Sequence, residues 1–361
     1  MFFVKKYIFY VVNLSFGRLS DINHDRFFYD DRRRSFMKLS KKLVSLLTAT
    51  ALVASLTGCG SESSTDSGEK KYTIGICQLV EHEALDAATK GFKDALTKKL
   101  GKDNVEFDEQ NAQGEATNCS TICNNFVTNH VDLIMANATG ALQAATQATA
   151  DIPILGTSVT DYGTALSISD WTGKTGTNVS GTSDLAPIDQ QEDMILELVP
   201  DVKKVGILYC SSEPNSAYQS DLMKKALEED GIEYKEYTAA DSNEIQSVTT
   251  AACNECDVLY VPTDNTMASS AETIKNVAIP AGIPMIAGES GICAAGIATL
   301  SIDYYSLGYK TGEMAYEILV NGKKAGDMEV AFADEFTKMY NEENCKALNI
   351  EIPEGYAKLG E

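Results

Sequence analysis

Side chains able to bind a small molecule recur at one kind of place in this 361-residue chain, directly after short apolar runs. Gln78 and His82 follow Tyr72–Cys77, Thr139 and Gly140 follow Leu133–Ala136, and Thr160 and Asp161 follow Ile152–Gly156. Further on, Ser211, Ser212 and Asn215 follow Val205–Tyr209, Thr263, Asp264 and Asn265 follow Val258–Val261, and Glu289 follows Met285–Ala287. All five arginines lie in residues 1–36, so no later residue can clamp a phosphate or dicarboxylate through two parallel guanidinium bonds. A carboxylate would instead be held by hydroxyls and by free N–H groups where Thr139–Ala141 open a helix. Asp161, Asp184, Asp264, Glu289 and Asp303 suit an ammonium group. A zwitterionic amino acid satisfies both demands, and an aromatic one would stack on His82, Tyr162, Trp171 or Tyr209. The same Asp residues are equally good helix N-caps, which sets a purely local role against ligand contact at each of them.

Catalysis finds little support. Cys77 and His82 have no third group to orient them, Cys77 sits within an apolar run, and there is neither a Gly-x-Ser-x-Gly elbow nor a phosphate-binding loop. No enzyme activity, cofactor or metal is expected. Besides Cys59 there are eight cysteines; Cys119/Cys123 and Cys253/Cys256 stand at helical spacings that mark an apolar face, so buried free thiols are expected rather than disulfides. A zinc site from Cys119, Cys123 and His130 lacks a standard spacing.

The elements that must position these residues alternate between apolar, strand-like runs and amphipathic helices. Helices are expected near Ala84–Leu100, Glu115–Asn129 and Gly140–Ala150, then near Pro187–Leu198, Ser216–Asp230, Asn243–Glu255 and Ala268–Ala281. Continuous apolar strands between helices predict an α/β fold with parallel sheets covered on both faces. Two such series are separated by the Gly-containing stretch 167–183, and Ser306–Val320 could return to the first. The expectation is two Rossmann-like lobes joined by a multi-strand hinge that includes Gly181 and Asp303. Lobe 1 would be 72–180 plus 302–328, and lobe 2 would be 181–301 plus 329–361.

The amino-terminal region reads differently. Residues 1–36 carry 7 of the 12 Phe as well as every Arg, and Met37 is read as the true start, with 1–36 a start-site artefact. Lys38, Lys41 and Lys42 precede an apolar stretch, Leu43–Leu56, too short to span a bilayer, as in a signal peptide over 37–58. Leu56-Thr57-Gly58-Cys59 resembles a bacterial lipobox, with Cys59 as the lipidated residue. The polar segment 59–71 reads as a flexible tether. From Cys59 onward there are 20 Lys against 48 Asp and Glu, which makes nucleic acid an unsuitable partner.

Several stretches together resemble one family. They are Ile74-Gly-Ile-Cys-Gln-Leu-Val-Glu-His-Glu-Ala-Leu-Asp86, Ala138-Thr-Gly-Ala-Leu-Gln-Ala-Ala-Thr146, Val159-Thr-Asp161 and Asn178-Val-Ser-Gly-Thr-Ser-Asp184. Ser211-Ser-Glu-Pro-Asn-Ser216, Val261-Pro-Thr-Asp-Asn-Thr266 and Ser301-Ile-Asp-Tyr-Tyr-Ser-Leu-Gly308 continue the series. In this order they resemble ABC-transporter substrate-binding lipoproteins of the type 1 periplasmic-binding fold, in the subgroup of tryptophan- and tyrosine-type receptors. The resemblance runs from about Tyr72 to Pro353. It implies a ligand between two lobes, a permease and an ATPase as partners, and a location on the outer face of the cell membrane, held by the lipid anchor. A sugar or nucleoside receptor of the same superfamily, or the sensing subunit of a signalling system, are the alternatives. Tyr162 and Lys174-Thr-Gly-Thr177 depart from the family pattern beside the expected cleft.

Overall fold

Apolar runs without polar alternation have no solvent-facing side, so they fold only where helices cover both faces of a sheet. A computed structural model describes residues 70–333 and 335–360. The start at Met37, the signal peptide, lipidation of Cys59 and nearly all of the tether lie outside the described residues.

The first lobe is built from β1 (Tyr72–Gln78), α1 (Glu83–Leu100), β2 (Val105–Asn111), α2 (Ala116–Thr128), β3 (Leu133–Asn137), α3 (Thr139–Ala148), β4 (Ile154–Thr157), α4 (Tyr162–Leu166) and β5 (Val179–Ser183). The second follows with α5 (Ile188–Leu198), β6 (Lys204–Cys210), α6 (Pro214–Glu229), β7 (Glu233–Ala239), α7 (Ile245–Cys253), β8 (Val258–Val261), α8 (Asn265–Ser269), α9 (Ala271–Ala281), β9 (Met285–Ala287) and β10 (Ala298–Ser301). The chain then returns with α10 (Tyr304–Leu319) and β11 (Ala331–Phe332), and ends in the second lobe with β12 (Thr337–Tyr340), α11 (Glu342–Leu348) and β13 (Ala357–Lys358).

Two sheets result, with strand orders β11-β5-β4-β3-β1-β2 and β13-β12-β10-β9-β8-β6-β7. Every pairing is parallel except β10 with β12. β3 and β8 are buried at every residue, as central strands covered on both faces must be. Among the described residues the chain changes sheet three times, after β5, after β10 and after β11. The expected α/β class and two-lobed architecture are those observed.

The differences are local. Gly181, expected at the hinge and at the start of lobe 2, lies inside β5 of the first sheet, where a Cβ would stand 2.0 Å from Gly156 O and 2.3 Å from the Tyr162 hydroxyl. Its glycine is needed for strand packing, and the crossing begins after it. Residues 331–332, expected in lobe 2, pair with β5 in the first sheet. The single helix expected over Ala268–Ala281 is broken at Ser270 (φ −118°, ψ 15°) into α8 and α9. The two-residue strands β11 and β13 are too short to carry a pattern.

α10 is held to the first lobe by its packing on α1, where Gly91, Gly308 and Gly312 let the two backbones meet. A Cβ at Gly308 would fall 1.9 Å from the Ala88 carbonyl oxygen. Gly308→Ala should therefore force the helices apart and cost about 2–3 kcal/mol, measured as a lowered midpoint of chemical denaturation.

Candidate functional site

In an open parallel sheet, ligands bind beyond the carboxyl ends of the strands, where loops and helix starts present unpaired polar groups. Here those ends in the two sheets face one another across a cleft of about 500 Å³. Leu79, Val80, Gly140 and Ala144 line it from the first lobe; Ser212, Glu213, Pro214, Asn215, Asn265 and Thr266 line it from the second. The charged lining residues are Glu115, Glu213 and Asp241, and no Lys, Arg or His is among the lining residues. A low-dielectric gap of that sign disfavours phosphates and dicarboxylates.

The first-lobe rim carries strained backbone and unpartnered polar atoms. Ala138 (φ 90°) and Ser158 (φ 53°) hold left-handed conformations directly after β3 and β4. α3 begins at Thr139 with no side-chain cap, so its first-turn N–H groups have no side-chain acceptor. Buried polar atoms nearly always have partners. Among the described residues, His82 Nδ1, Asn137 Oδ1 and Ser158 Oγ are buried atoms without one, and they follow or end β1, β3 and β4 on the cleft side. Thr139 and Gly140 thus stand where a carboxylate could be received, with Ser158 beside them; the sequence reading missed Ser158, since one serine after a strand carries no pattern.

The carboxylates divide by their partners. Asp264 caps α8 through Met267 N (2.8 Å), and its other oxygen accepts from Cys210 N (2.7 Å). Burial, reinforced by Glu213, pushes its acid up to about 8. Glu289 accepts from Gly291 N (2.7 Å) and Ile292 N (2.6 Å), and burial raises it. Asp161 caps α4 through Thr164 N (2.6 Å). All three take backbone donors, Asp264 and Glu289 on both oxygens and Asp161 on one. Asp184, 3% exposed, accepts only hydroxyls from other residues, Thr160 Oγ1 (3.0 Å) and Tyr304 OH (3.0 Å). Burial raises it to about 6 against those two bonds, with Glu289 adding repulsion.

Other predicted residues have structural partners. The Gln78 amide joins Val80 O (2.9 Å), Asp86 (2.6 Å) and Thr89 (2.6 Å), which fixes α1 on β1. Ser211 bonds back to Ala239 O (3.3 Å) and is exposed, and Ser212 Oγ meets the Cys210 sulfur (3.1 Å). Asn215 donates to Thr263 O (3.1 Å), and the Thr263 hydroxyl donates to Gly288 O (3.4 Å). Asp303 is exposed at the second crossing and caps α10 through Ser306 N (3.2 Å). His82 and Asn265 meet across the cleft, Nε2 to Oδ1, at 3.2 Å.

Two expected stacking surfaces are corrected. Tyr162 is buried, donates to Thr182 O (3.2 Å) and lies parallel to Trp171 at 6.2 Å, so these two rings stack on each other. Tyr209 lies in the second-lobe core with its hydroxyl on Glu236 (2.9 Å). Tyr218 on α6, unremarked in the sequence, lies close enough to feel the Asp161 charge from the opposite lobe; its burial, then that charge, raises its phenol. All eight described cysteines are free thiols, and among the described residues no group of three or more His, Cys, Asp or Glu could hold a metal ion.

Comparison with known proteins follows the same lines. The model of the ABC transporter substrate binding protein family matches residues 73–360. A protein of Clostridioides difficile (strain R20291) named tyrosine-binding protein is 42% identical over 324 residues, covering 86% of this chain and 93% of that one. The crystal structure of an ABC domain from Streptococcus pneumonia in complex with L-Trp superposes with a TM-score of 0.77 at 32% identity, over 80% of this chain and 99% of that one. The ligand-free, open structure of a Clostridium difficile substrate binding protein with adhesive properties reaches 0.62 at 41% identity, over 80% and 98%. This chain belongs to the ABC transporter substrate-binding proteins, a family that works outside the cytoplasm. The TM-score is higher for the L-Trp complex, although the open relative has the higher sequence identity.

The raised carboxyls fix a pH dependence. A carboxyl that binds its proton more tightly when folded stabilises the fold below its ordinary value and loses that contribution as pH rises through the folded one. Asp184 and Asp264 should thus make the ligand-free protein more heat-stable as pH falls from 8.5 to 5.5, the Asp264 contribution being fully lost above about 8 and the Asp184 contribution above about 6. A melting temperature that stays level or drops over that interval contradicts this; Asp184→Asn should flatten the lower part.

Proposed function

We propose that this chain is the lipid-anchored receptor of an ABC importer, taking an aromatic or related amino acid between its lobes and presenting the closed form to a permease and its ATPase. The observation that carries the reading is how the carboxylates at the strand ends are partnered. From other residues Asp184 accepts hydroxyls only, while the uncapped start of α3 and Ser158 stand on the same lobe. An ammonium group would complete Asp184, and a carboxylate would complete the α3 N–H groups. Leu79, Val80 and Pro214 offer apolar surface for the side chain. The names of the two relatives, one for tyrosine and one complexed with L-Trp, point to the same ligand class.

In mechanism, this chain does no covalent chemistry. Binding starts on one lobe, and closure over the three crossings brings contacts from the other and excludes water, so each polar contact strengthens in the drier gap. The lipidated Cys59, with residues 60–71 as tether, would keep the domain at the outer membrane face, each buried CH₂ of an acyl chain contributing about 0.8 kcal/mol.

Thermal shift should show stabilisation by L-tyrosine, L-tryptophan or L-phenylalanine and not by sugars or nucleosides, about 2.7 kcal/mol at a concentration 100 times Kd. Asp184→Asn should weaken binding by about 2 kcal/mol or more in calorimetry, because it removes the charge that meets the ammonium. Stabilisation by sugars alone, or unchanged affinity in that variant, would reject the assignment. Cys59→Ser should move the protein from the membrane fraction to the soluble fraction of expressing cells.

A further inference from the structure

The single lobe-to-lobe bond between predicted site residues has an unusual partner behind it. Glu213, at the N-cap position of α6, is 7% exposed and unremarked in the sequence, yet its carboxylate gathers the start of α8. Oε2 accepts from Asn265 N (3.0 Å) and Asn265 Nδ2 (2.7 Å); Oε1 accepts from Thr266 N (2.8 Å) and Thr266 Oγ1 (2.7 Å). The backbone N–H groups can only donate, so these oxygens are acceptors. The Asn265 NH₂ must therefore face Glu213, because the reversed amide would set oxygen against oxygen. That fixes Asn265 Oδ1 toward the first lobe, where it meets His82 Nε2 at 3.2 Å.

An amide oxygen accepts only, so His82 Nε2 carries the proton. His82 occupies the N-cap position of α1 but makes no cap bond; its ring crosses the cleft instead. Nδ1 is then an acceptor in the neutral imidazole and a donor in the imidazolium, and in either form it is free for a partner. That atom is buried and has no partner.

We propose that Glu213, Asn265 and His82 form a closing latch: Glu213 sets the Asn265 amide, Asn265 accepts the His82 Nε2–H when the lobes meet, and His82 Nδ1 hydrogen-bonds a polar group of the bound ligand. Glu213 is a positioning residue, acting through Asn265 without touching the ligand. The latch rests on the reading of the chain as a receptor with its ligand between the lobes, and it narrows that ligand to one with a hydrogen-bonding group beside His82. It also separates Asn265 from the ligand contacts expected of it: its amide is used by the protein on both sides.

The test uses the soluble mature chain and its Asn265→Ala, Glu213→Gln and His82→Gln variants, with L-tyrosine and L-tryptophan as probes. Stopped-flow fluorescence reads binding rates, and small-angle X-ray scattering reads the radius of gyration. Asn265→Ala and Glu213→Gln should raise the dissociation rate by about tenfold or more, with the association rate within about threefold of wild type, because the latch forms after encounter. At saturation both variants should be more extended than wild type. Unchanged dissociation rates, or an equal loss in both rates, overturn the latch. Should Glu213→Gln not fold, Asn265→Ala carries the same readouts. Wild-type protein that binds neither amino acid would instead sink the receptor assignment. The latch is then judged on ligand-free protein alone: Asn265→Ala more extended than wild type sustains it, and identical radii refute it.

Discussion

A carboxylate taken out of water needs hydrogen-bond donors, or it takes up a proton and ceases to be a charge. Around this cleft, donors come from the places where the sheets end. Asp161, Asp264 and Glu289 accept N–H groups one turn along their own chain, and Asp264 also accepts Cys210 N, which makes them part of the scaffold. Glu213 collects donors from a different segment and so ties α6 to α8. Asp184 accepts only hydroxyls from other residues, and burial raises its acid to about 6. The partners thus separate Asp184, which meets only hydroxyls of other residues, from Asp264 and Glu289, each held on both oxygens by backbone N–H groups.

The scaffold follows from the same economy of polar groups. Parallel strands buried on both faces leave their unsatisfied groups at the ends, and the right-handed β/α connection sets every helix start on the carboxyl side. Two sheets joined by three crossings can then turn those ends toward each other, while strained residues such as Ala138 and Ser158 hold the rim in shapes that serve the cleft. The α1–α10 contact, made close by glycine, returns the chain to the first lobe after β10 and so supplies Tyr304 to Asp184.

Much of the fold was legible. Val258–Val261 and Met285–Ala287 are strands with the bounds their apolar runs suggest, and α1 differs from its amphipathic stretch by one residue. The break at Ser270 and the strands β5, β11 and β13 were not legible. Their residues satisfy contacts distant in sequence, Gly181 against Gly156 being the plainest case. At the site, spacing after strands picked out residues of the right neighbourhood, yet it ranked Asp264 with Asp184 although one is a cap and the other is not.

Periodicity, the confinement of arginine to residues 1–36 and the surplus of acid were readable along the chain: they dictate two β/α series, polar strand ends and a binding gap that repels anions. Which carboxylate stays available, which way an asparagine amide points and which imidazole nitrogen is left over depend on partners tens to hundreds of residues away, such as Tyr304 for Asp184 and Asn265 for His82. Hydrogen bonding saturates locally before it can reach further, and only the folded chain reveals which donors were already taken.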